Sequence, residues 1–310
     1  MSRRLLFSAP LLLAGALLTT SAAHGQGYAE GVNLSYENVP LRFAEPAAAG
    51  RTPFHADVWR ASLVVPVALG ADSTRSLLVG TTAEMLRFGG PRPGLAVGTV
   101  FGFSPLLGYR RRLSPALELS TLLLPQLNSD LRHVQARDVR LGGVVRAAYR
   151  VNPRLSYRLT VGYRSQFYGP QYVLLLGLDW HPAAKWRVFG ELPTSLTISR
   201  FLGSQGSRAT AGFTLTGLNT AYRLQDNNPY LQYQQAHYGL FAEAYASVRW
   251  VFRVTVAYAL TRRVGVYAEN DQYAGTVDYI GLGTAPQARS EALAKGPALR
   301  LSLSYRVPQP

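Results

Sequence analysis

The chain has 310 residues, 47% of them hydrophobic and 16% charged, with a formal net charge of +15 and no cysteine. So much apolar character excludes an intrinsically disordered chain. The lack of cysteine excludes a disulfide scaffold, a thiolate metal site, a cysteine nucleophile and a lipidated N-terminal cysteine.

Arg3 and Arg4 open the chain, an apolar run follows over 5–18, and 19–25 is small and polar. Ala23-His24-Gly25 before Gln26 is a small-x-small cleavage signature. The pattern predicts a cleaved signal peptide at 1–25 and a mature domain at 26–310. The run is shorter than the roughly 20 residues a spanning helix needs, and no later segment supplies 18 continuous apolar residues. Without Arg3 and Arg4 the charge is +13. Such a balance suits nucleic acid, an anionic surface or an anionic solute. The chain has no basic helical face and no compact basic cluster, so nucleic-acid binding is not expected.

Strands are predicted near 31–43, 54–69, 76–88, 97–112, 117–127, 138–150, 155–166, 171–181, 186–192, 194–202, 208–222, 240–260, 264–274 and 297–307. The alternation is clearest over 139–164. Val139, Leu141, Val145, Ala147 and Tyr149 share one face, and Arg140, Val144, Arg146, Ala148 and Arg150 the other. Asn152-Pro153 is a turn signal. Then Leu155, Tyr157, Leu159, Val161 and Tyr163 oppose Ser156, Arg158, Thr160, Gly162 and Arg164. In a strand, successive side chains point to opposite faces, so this is a hairpin with one greasy and one basic face. Tyr172 to Trp180 and Trp250 to Leu260 alternate likewise, and Leu299, Leu301, Leu303 and Tyr305 oppose Arg300, Ser302, Ser304 and Arg306. The pattern is weaker over 59–69, and the faces of 77–88 stay unassigned.

A soluble sandwich also alternates. Three features favour a closed, antiparallel, all-β transmembrane barrel. The apolar face ends in Tyr149, Tyr157, Tyr163, Tyr172, Trp180, Trp186 and Tyr305, as an interfacial girdle requires. The strands exceed the usual five or six residues. Short connections at 113–116, 151–154, 181–185 and 261–263 contrast with longer ones at 44–53, 128–137 and 275–296, as periplasmic turns contrast with outer loops. The count is fourteen, with twelve as the main alternative; Pro193 marks either a tight outer turn or a bulge in one long strand.

VNLSYENVP, GVVRAAYRVNPRLSYRLTVGYR, YGPQYVLLLGLDWHPAAKWRVFGELP and VTVAYALTRRVGVYAEN together resemble a family of Gram-negative outer-membrane β-barrel proteins of unassigned function, a domain of unknown function. The resemblance spans most of 31–307. It implies the barrel fold and the cell outer membrane, and carries over no site residue. One departure is the terminus: Val307-Pro308-Gln309-Pro310 follows Tyr305, where many such barrels end on an aromatic.

His55, His133, His181 and His237 form no close metal-ligand pair. No G-x-S-x-G elbow accompanies them. The glycines of 98–108 lack the helix and lysine of a phosphate loop. No catalysis and no cofactor are expected, although a hydrolase in the lumen stays as an alternative. The candidate functional residues are the lumen-lining arginines Arg140, Arg146, Arg150, Arg158, Arg164, Arg253 and Arg300, with Arg187, Arg249 and Arg306 on the same face. Glu118, Asp179, Glu191 and Glu243 share it. Either these groups pair and fill the lumen, or the basic excess lines a passive path for small anionic solutes. The expected function is a non-enzymatic barrel, structural or a narrow channel. Its expected partners are outer-membrane lipid, the barrel-assembly machinery during insertion and small anionic solutes.

Overall fold

Alternating segments of this length leave backbone groups that only a closed sheet can pair inside a bilayer, and the computed structural model closes one. It describes residues 28–43, 54–70, 74–90, 97–203, 209–225, 229–247 and 249–308. The signal peptide expected at 1–25 and the loop 44–53 lie outside them.

In chain order the elements are β1 (Tyr28–Phe43), β2 (Phe54–Ala68), β3 (Arg75–Gly89), β4 (Thr99–Arg112), β5 (Leu117–Leu123), β6 (Gln126–Ser129), a single 3-10 turn η1 (Ala136–Asp138), β7 (Val139–Arg140) and β8 (Gly142–Asn152). They continue as β9 (Leu155–Gln166), β10 (Gly169–Ala183), β11 (Trp186–Leu192), β12 (Ser195–Leu202), β13 (Ala209–Arg223), β14 (Tyr230–Tyr245), β15 (Trp250–Tyr267), β16 (Gly275–Val277), β17 (Ile280–Leu282) and β18 (Ser290–Pro308). β5 with β6, and β7 with β8, are each one interrupted spanning strand. The barrel is antiparallel with fourteen strands, and β1 closes on β18 from Tyr28↔Pro308 to Phe43↔Ala292. Pro193 marks a turn between β11 and β12.

The expected turns at 113–116, 151–154 and 181–185 are turns. The one at 261–263 is not: β15 runs unbroken through it, and the chain reverses instead between the end of β14 at Tyr245 and the start of β15 at Trp250. The count survived because the range 240–260 joins the end of β14 to most of β15, while 264–274 counts the rest of β15 as a further strand. What breaks at 261 is the parity. A bulge between Ala259 and Arg262 shifts β15 against β18, and a matching shift in β14 falls between Ala236 and His237. Such a bulge bends the strand and inserts one unpaired residue, so Leu260 points outward while Arg262 and Val264 point inward. Beside it Gly296 takes φ +142, a conformation that side chains rarely adopt.

Two aromatic girdles bound the lipid-facing band. Tyr149, Tyr157, Trp180, Trp186, Trp250 and Tyr305 stand at the end bearing the short turns. Tyr36 and Trp59 (ring centroids 4.5 Å apart), Tyr163 and Tyr172 (5.8 Å) and Tyr238 and Tyr258 (6.0 Å) stand toward the loop end. Trp250 and Tyr258 lie eight residues apart, roughly 27 Å of strand at about 3.4 Å per residue. Between the girdles Leu159, Leu174, Leu176, Leu240 and Val256 face outward, Leu240 68% exposed, as lipid contact demands.

Above the second girdle the pattern inverts. Val39, Leu41, Val58, Leu86 and Val100 turn inward and are wholly buried, while His55 and Arg87 are exposed and Arg263 pairs with Glu291. Here β6 leaves the outer wall. It pairs with β4 at Phe101↔Ser129 to Phe103↔Leu127 and with β13 at Arg223↔Ser129. Asn128 Nδ2 donates to the Ala221 carbonyl at 3.1 Å. Gly102 leaves room for this crossing, since a Cβ there would lie 2.9 Å from Asn128 Oδ1. β1, β2, β3, β4, β6, β13, β14, β15 and β18 thus form a narrower ring of nine strands around an apolar core.

The rest of the wall at this end packs on the ring through Phe167, Tyr168, Ala221, Tyr230 and Tyr267. The upper parts of β13 and β14 are therefore buried on both faces, continuously from Ala221 to Leu224 and from Pro229 to Tyr233. β11 and β12 stop short of this level. The space above them is occupied by the β16–β17 hairpin, which joins β10 in parallel at Gln171↔Thr276 and Tyr172↔Val277. Asp278 accepts the Leu174 N–H at 3.1 Å and donates its own N–H to the Tyr172 carbonyl at 2.9 Å.

Candidate functional site

The lumen between the girdles is polar because each strand sends its second face inward. On β1, Leu34 and Tyr36 point out, so Glu37 points in, and it is 1% exposed. Glu37 lies at the top of the wet lumen, one step below the apolar neck that starts at Val39. Arg300 of β18 donates Nε and Nη2 to its Oε2 at 3.1 and 2.7 Å. Gln235 of β14 donates to Oε1 at 2.5 Å. Arg60 of β2 and the fully buried Arg262 of β15 stand at 3.8 and 3.9 Å. Arg60 also binds Glu84 of β3, whose other oxygen takes the Tyr222 hydroxyl. Tyr233 donates to Gln235 at 2.5 Å. This network joins strands from both sides of the ring beneath the neck.

Nearer the turn end, Arg253 donates Nε and Nη2 to Glu243 Oε1 at 2.9 and 2.7 Å. Tyr245 donates its hydroxyl to Oε2 at 2.8 Å, and Arg306 approaches that oxygen at 3.6 Å. Arg146 and Arg158 reach Glu191 at 2.9 and 3.8 Å, and Arg187 clasps Asp179 with two bonds of 2.9 and 2.8 Å. Bidentate arginine–carboxylate contacts are the strong form of the pair. Buried charges are tolerated where they are paired in this way.

Of the arginines that the alternation places inside, Arg146, Arg158, Arg253 and Arg300, with Arg187 and Arg306, join these lumen pairs. Arg140 and Arg164 point inward at the level of the second packing cluster. The Arg140 guanidinium lies 4.4 Å from the Phe167 ring centroid, and the buried Nε atoms of Arg140 and Arg164 have no hydrogen-bond partner. Arg150 is exposed at the turn end. Arg249 leaves the lumen and donates to the Tyr305 hydroxyl at 3.0 Å, beside the girdle. Glu118 takes no ion pair among the described residues.

Glu37, Arg60, Glu84, Arg262 and Gln235 escape the alternation analysis. Arg60 and Glu84 lie where the faces are weak or unassigned, and Arg262 lies just past the bulge. The signal that could have found Glu37 is its place in Leu34-Ser35-Tyr36-Glu37, opposite an apolar face that ends on an aromatic.

Among the described residues, the lumen ion pairs bring Arg60, Arg146, Arg158, Arg187, Arg253, Arg262, Arg300 and Arg306 to Glu37, Glu84, Asp179, Glu191 and Glu243. Eight cations against five anions leave the lumen basic. Beneath Glu37 lies a cavity of about 130 Å³, whose walls include Ser35, Thr255, Ser302, Arg253 and Arg300. His237 lies near it and meets Thr216 Oγ1 at 2.6 Å through Nε2. Among the described residues no three His, Asp or Glu side chains gather to hold a metal ion.

A family model described as a domain of unknown function, DUF6268, matches residues 97–272. No curated protein matches the chain. Among solved structures, the toluene transporter TodX of Pseudomonas putida overlaps with a TM-score of 0.42 and 10% identity, over 93% of this chain and 91% of that one. An outer membrane channel from Pseudomonas putida F1 overlaps with a TM-score of 0.37 and 12% identity, over 93% and 100%. The NanC porin gives 0.36 and 8%, over 89% and 100%. At such identities a likeness concerns the fold alone, and no solute follows from it.

Proposed function

The chain belongs to the DUF6268 family, a domain of unknown function, and we propose that it acts as a non-enzymatic outer-membrane barrel of channel type, closed at its loop end in the form described above. One observation carries the reading: a basic cavity in the lumen, large enough for a few waters, ends abruptly at the Glu37 network, above which the ring is filled with apolar side chains. Ions do not cross a dry apolar constriction, and hydrophobic constrictions gate channels by dewetting. Passage of a solute then requires the neck to loosen. The short turns face the periplasm and the loops face outward in this reading. The surrounding lipid and the assembly machinery that inserts the barrel are its general partners.

The second reading is a purely structural barrel. Planar-bilayer recording separates the two. The wild type should be silent or open only briefly at low voltage. Leu86→Ser combined with Leu231→Ser, which wets the neck, should give steady openings. A large steady wild-type conductance would overturn the closed neck. A folded double variant that stays silent would favour the structural barrel. Turnover of lipid esters or peptides by the folded protein would displace the non-enzymatic reading in favour of a lumen hydrolase.

A further inference from the structure

The cavity beneath Glu37 has a donor set that its own ion pairs do not exhaust. Arg300 commits Nε and Nη2 to Glu37, and Arg253 commits the same two groups to Glu243. A guanidinium carries five N–H donors in a fixed fork, so each arginine keeps its Nη1 group for another acceptor. Both line the cavity. Ser35, Thr255 and Ser302 line it too, and among the described residues their hydroxyls make no side-chain hydrogen bond. The one carboxylate in the wall is already satisfied. Glu243 receives Arg253 on one oxygen and Tyr245 on the other, with Arg306 at 3.6 Å.

The volume sets the size of what can enter. About 130 Å³ holds about four waters at the ~30 Å³ each occupies in the liquid. A tetrahedral oxyanion or a short carboxylate fits that space. A cation would face two guanidinium groups, and a neutral polyol would leave their charge unused. Strands β1, β15 and β18 supply these groups, so the geometry rests on paired backbone rather than on a loop.

We propose that this cavity is a binding site for a small oxyanion, held by Nη1 of Arg253 and Arg300 and by the hydroxyls of Ser35, Thr255 and Ser302. The site deepens the channel reading, which gives it a place on a solute path. The equilibrium binding itself requires no conduction.

The test uses the full barrel folded in detergent micelles, titrated with inorganic phosphate at constant ionic strength and followed calorimetrically. A bulky sulfonate that the cavity excludes serves as the background salt. Saturable one-to-one binding is expected, with displacement by acetate and none by glycerol. Ser302→Glu places a carboxylate in the cavity and should weaken phosphate binding by about tenfold or more. Thr255→Val removes one donor, keeps the volume and should weaken it by about threefold to tenfold. Retained heat-modifiable gel mobility certifies that each variant is folded. If Ser302→Glu fails to fold, Thr255→Val alone decides. Non-saturable wild-type binding overturns the site. So does unchanged affinity in the folded variants, and so does displacement by glycerol as effective as that by acetate. Saturable binding beside a silent neck-wetted barrel would sink the channel reading and leave the site. Conduction without binding would do the reverse.

Discussion

Arg300 grips Glu37 from the opposite side of the β1–β18 seam, with Nε and Nη2 at 3.1 and 2.7 Å from one carboxylate oxygen. The pair fastens the last strand to the first at the level where the wet lumen stops. Removing one member leaves the others facing like charge: without Glu37, Arg300 and Arg262 lose their carboxylate, and only Arg60 keeps one. Breaking a buried pair costs roughly 3–5 kcal/mol. Glu37→Leu should therefore destabilise the barrel by about that much in urea unfolding from lipid vesicles, while Glu37→Leu with Arg300→Met should recover part of the loss. A single variant as stable as the wild type would contradict the pairing.

The neck should behave as the interior of a soluble domain. Leu231 and Leu86 are wholly buried among apolar side chains. Leu231→Ala or Leu86→Ala should each cost about 2–5 kcal/mol, the range for a leucine truncated in a core. Leu240, outside the barrel and 68% exposed, keeps lipid around it after truncation, and Leu240→Ala should cost clearly less. The same unfolding titration ranks the three variants.

The outer face sets a second scale. Leu301 faces outward between Tyr305 and the second girdle. Leu301→Arg should cost roughly 2–4 kcal/mol, as for a cation on the lipid face near the midplane. Ser302→Asn, one residue on and facing the cavity, should cost well under that. Equal losses in folding from urea into bilayers would contradict the alternation.

The β16–β17 hairpin should be releasable without unfolding the barrel. Its tie to β10 runs through Asp278, at φ +50, whose carboxylate accepts the Leu174 N–H. Asp278→Ala strands that N–H, at a local cost of about 1–3 kcal/mol. Hydrogen exchange at Leu174 should then accelerate, with exchange on β2 and β3 unchanged. Asp278→Asn keeps an acceptor and should change it little. Uniform acceleration over all strands would mean the hairpin is part of one cooperative unit.

The membrane part of the fold is legible in the sequence because both faces there are chemically uniform. Arg146 and Arg158 could be placed inside, and Tyr157 and Tyr163 at the girdles, by counting in twos. The neck is not legible, for three physical reasons. The bulge at Leu260 reverses parity, so a continuous strand looks like a turn. Leu231, Gln232 and Tyr233 are buried on both faces, so no alternation exists to be seen. Val39 and Leu41 continue the inward face of Glu37 and exchange polar for apolar with no change of spacing. The partners of the lumen arginines were partly visible, since Asp179, Glu191 and Glu243 lie on well-alternating strands. Glu37 and Glu84 were not: Arg300, which grips Glu37, comes from the other end of the chain, and Glu84 with its neighbour Arg60 lies where the faces are weak or unassigned.

Orientation follows from loop length. Thr284 lies in the long connection between β17 and β18, and Asn152 at the end of β8. In this cysteine-free chain, Thr284→Cys should react with an impermeant maleimide on intact cells, and Asn152→Cys should react only after the outer membrane is permeabilised. The opposite pattern would invert the barrel.

The closed neck is the central claim, and side-specific access to the lumen tests it most directly. Ser302→Cys places a single thiol in the cavity beneath Glu37. With a small charged methanethiosulfonate added to intact cells, where the Thr284→Cys control reacts, the Ser302→Cys thiol should stay unmodified. It should react promptly once the reagent reaches the periplasmic end. Rapid modification of Ser302→Cys from outside in intact cells would mean that the apolar ring is no barrier and would contradict the account.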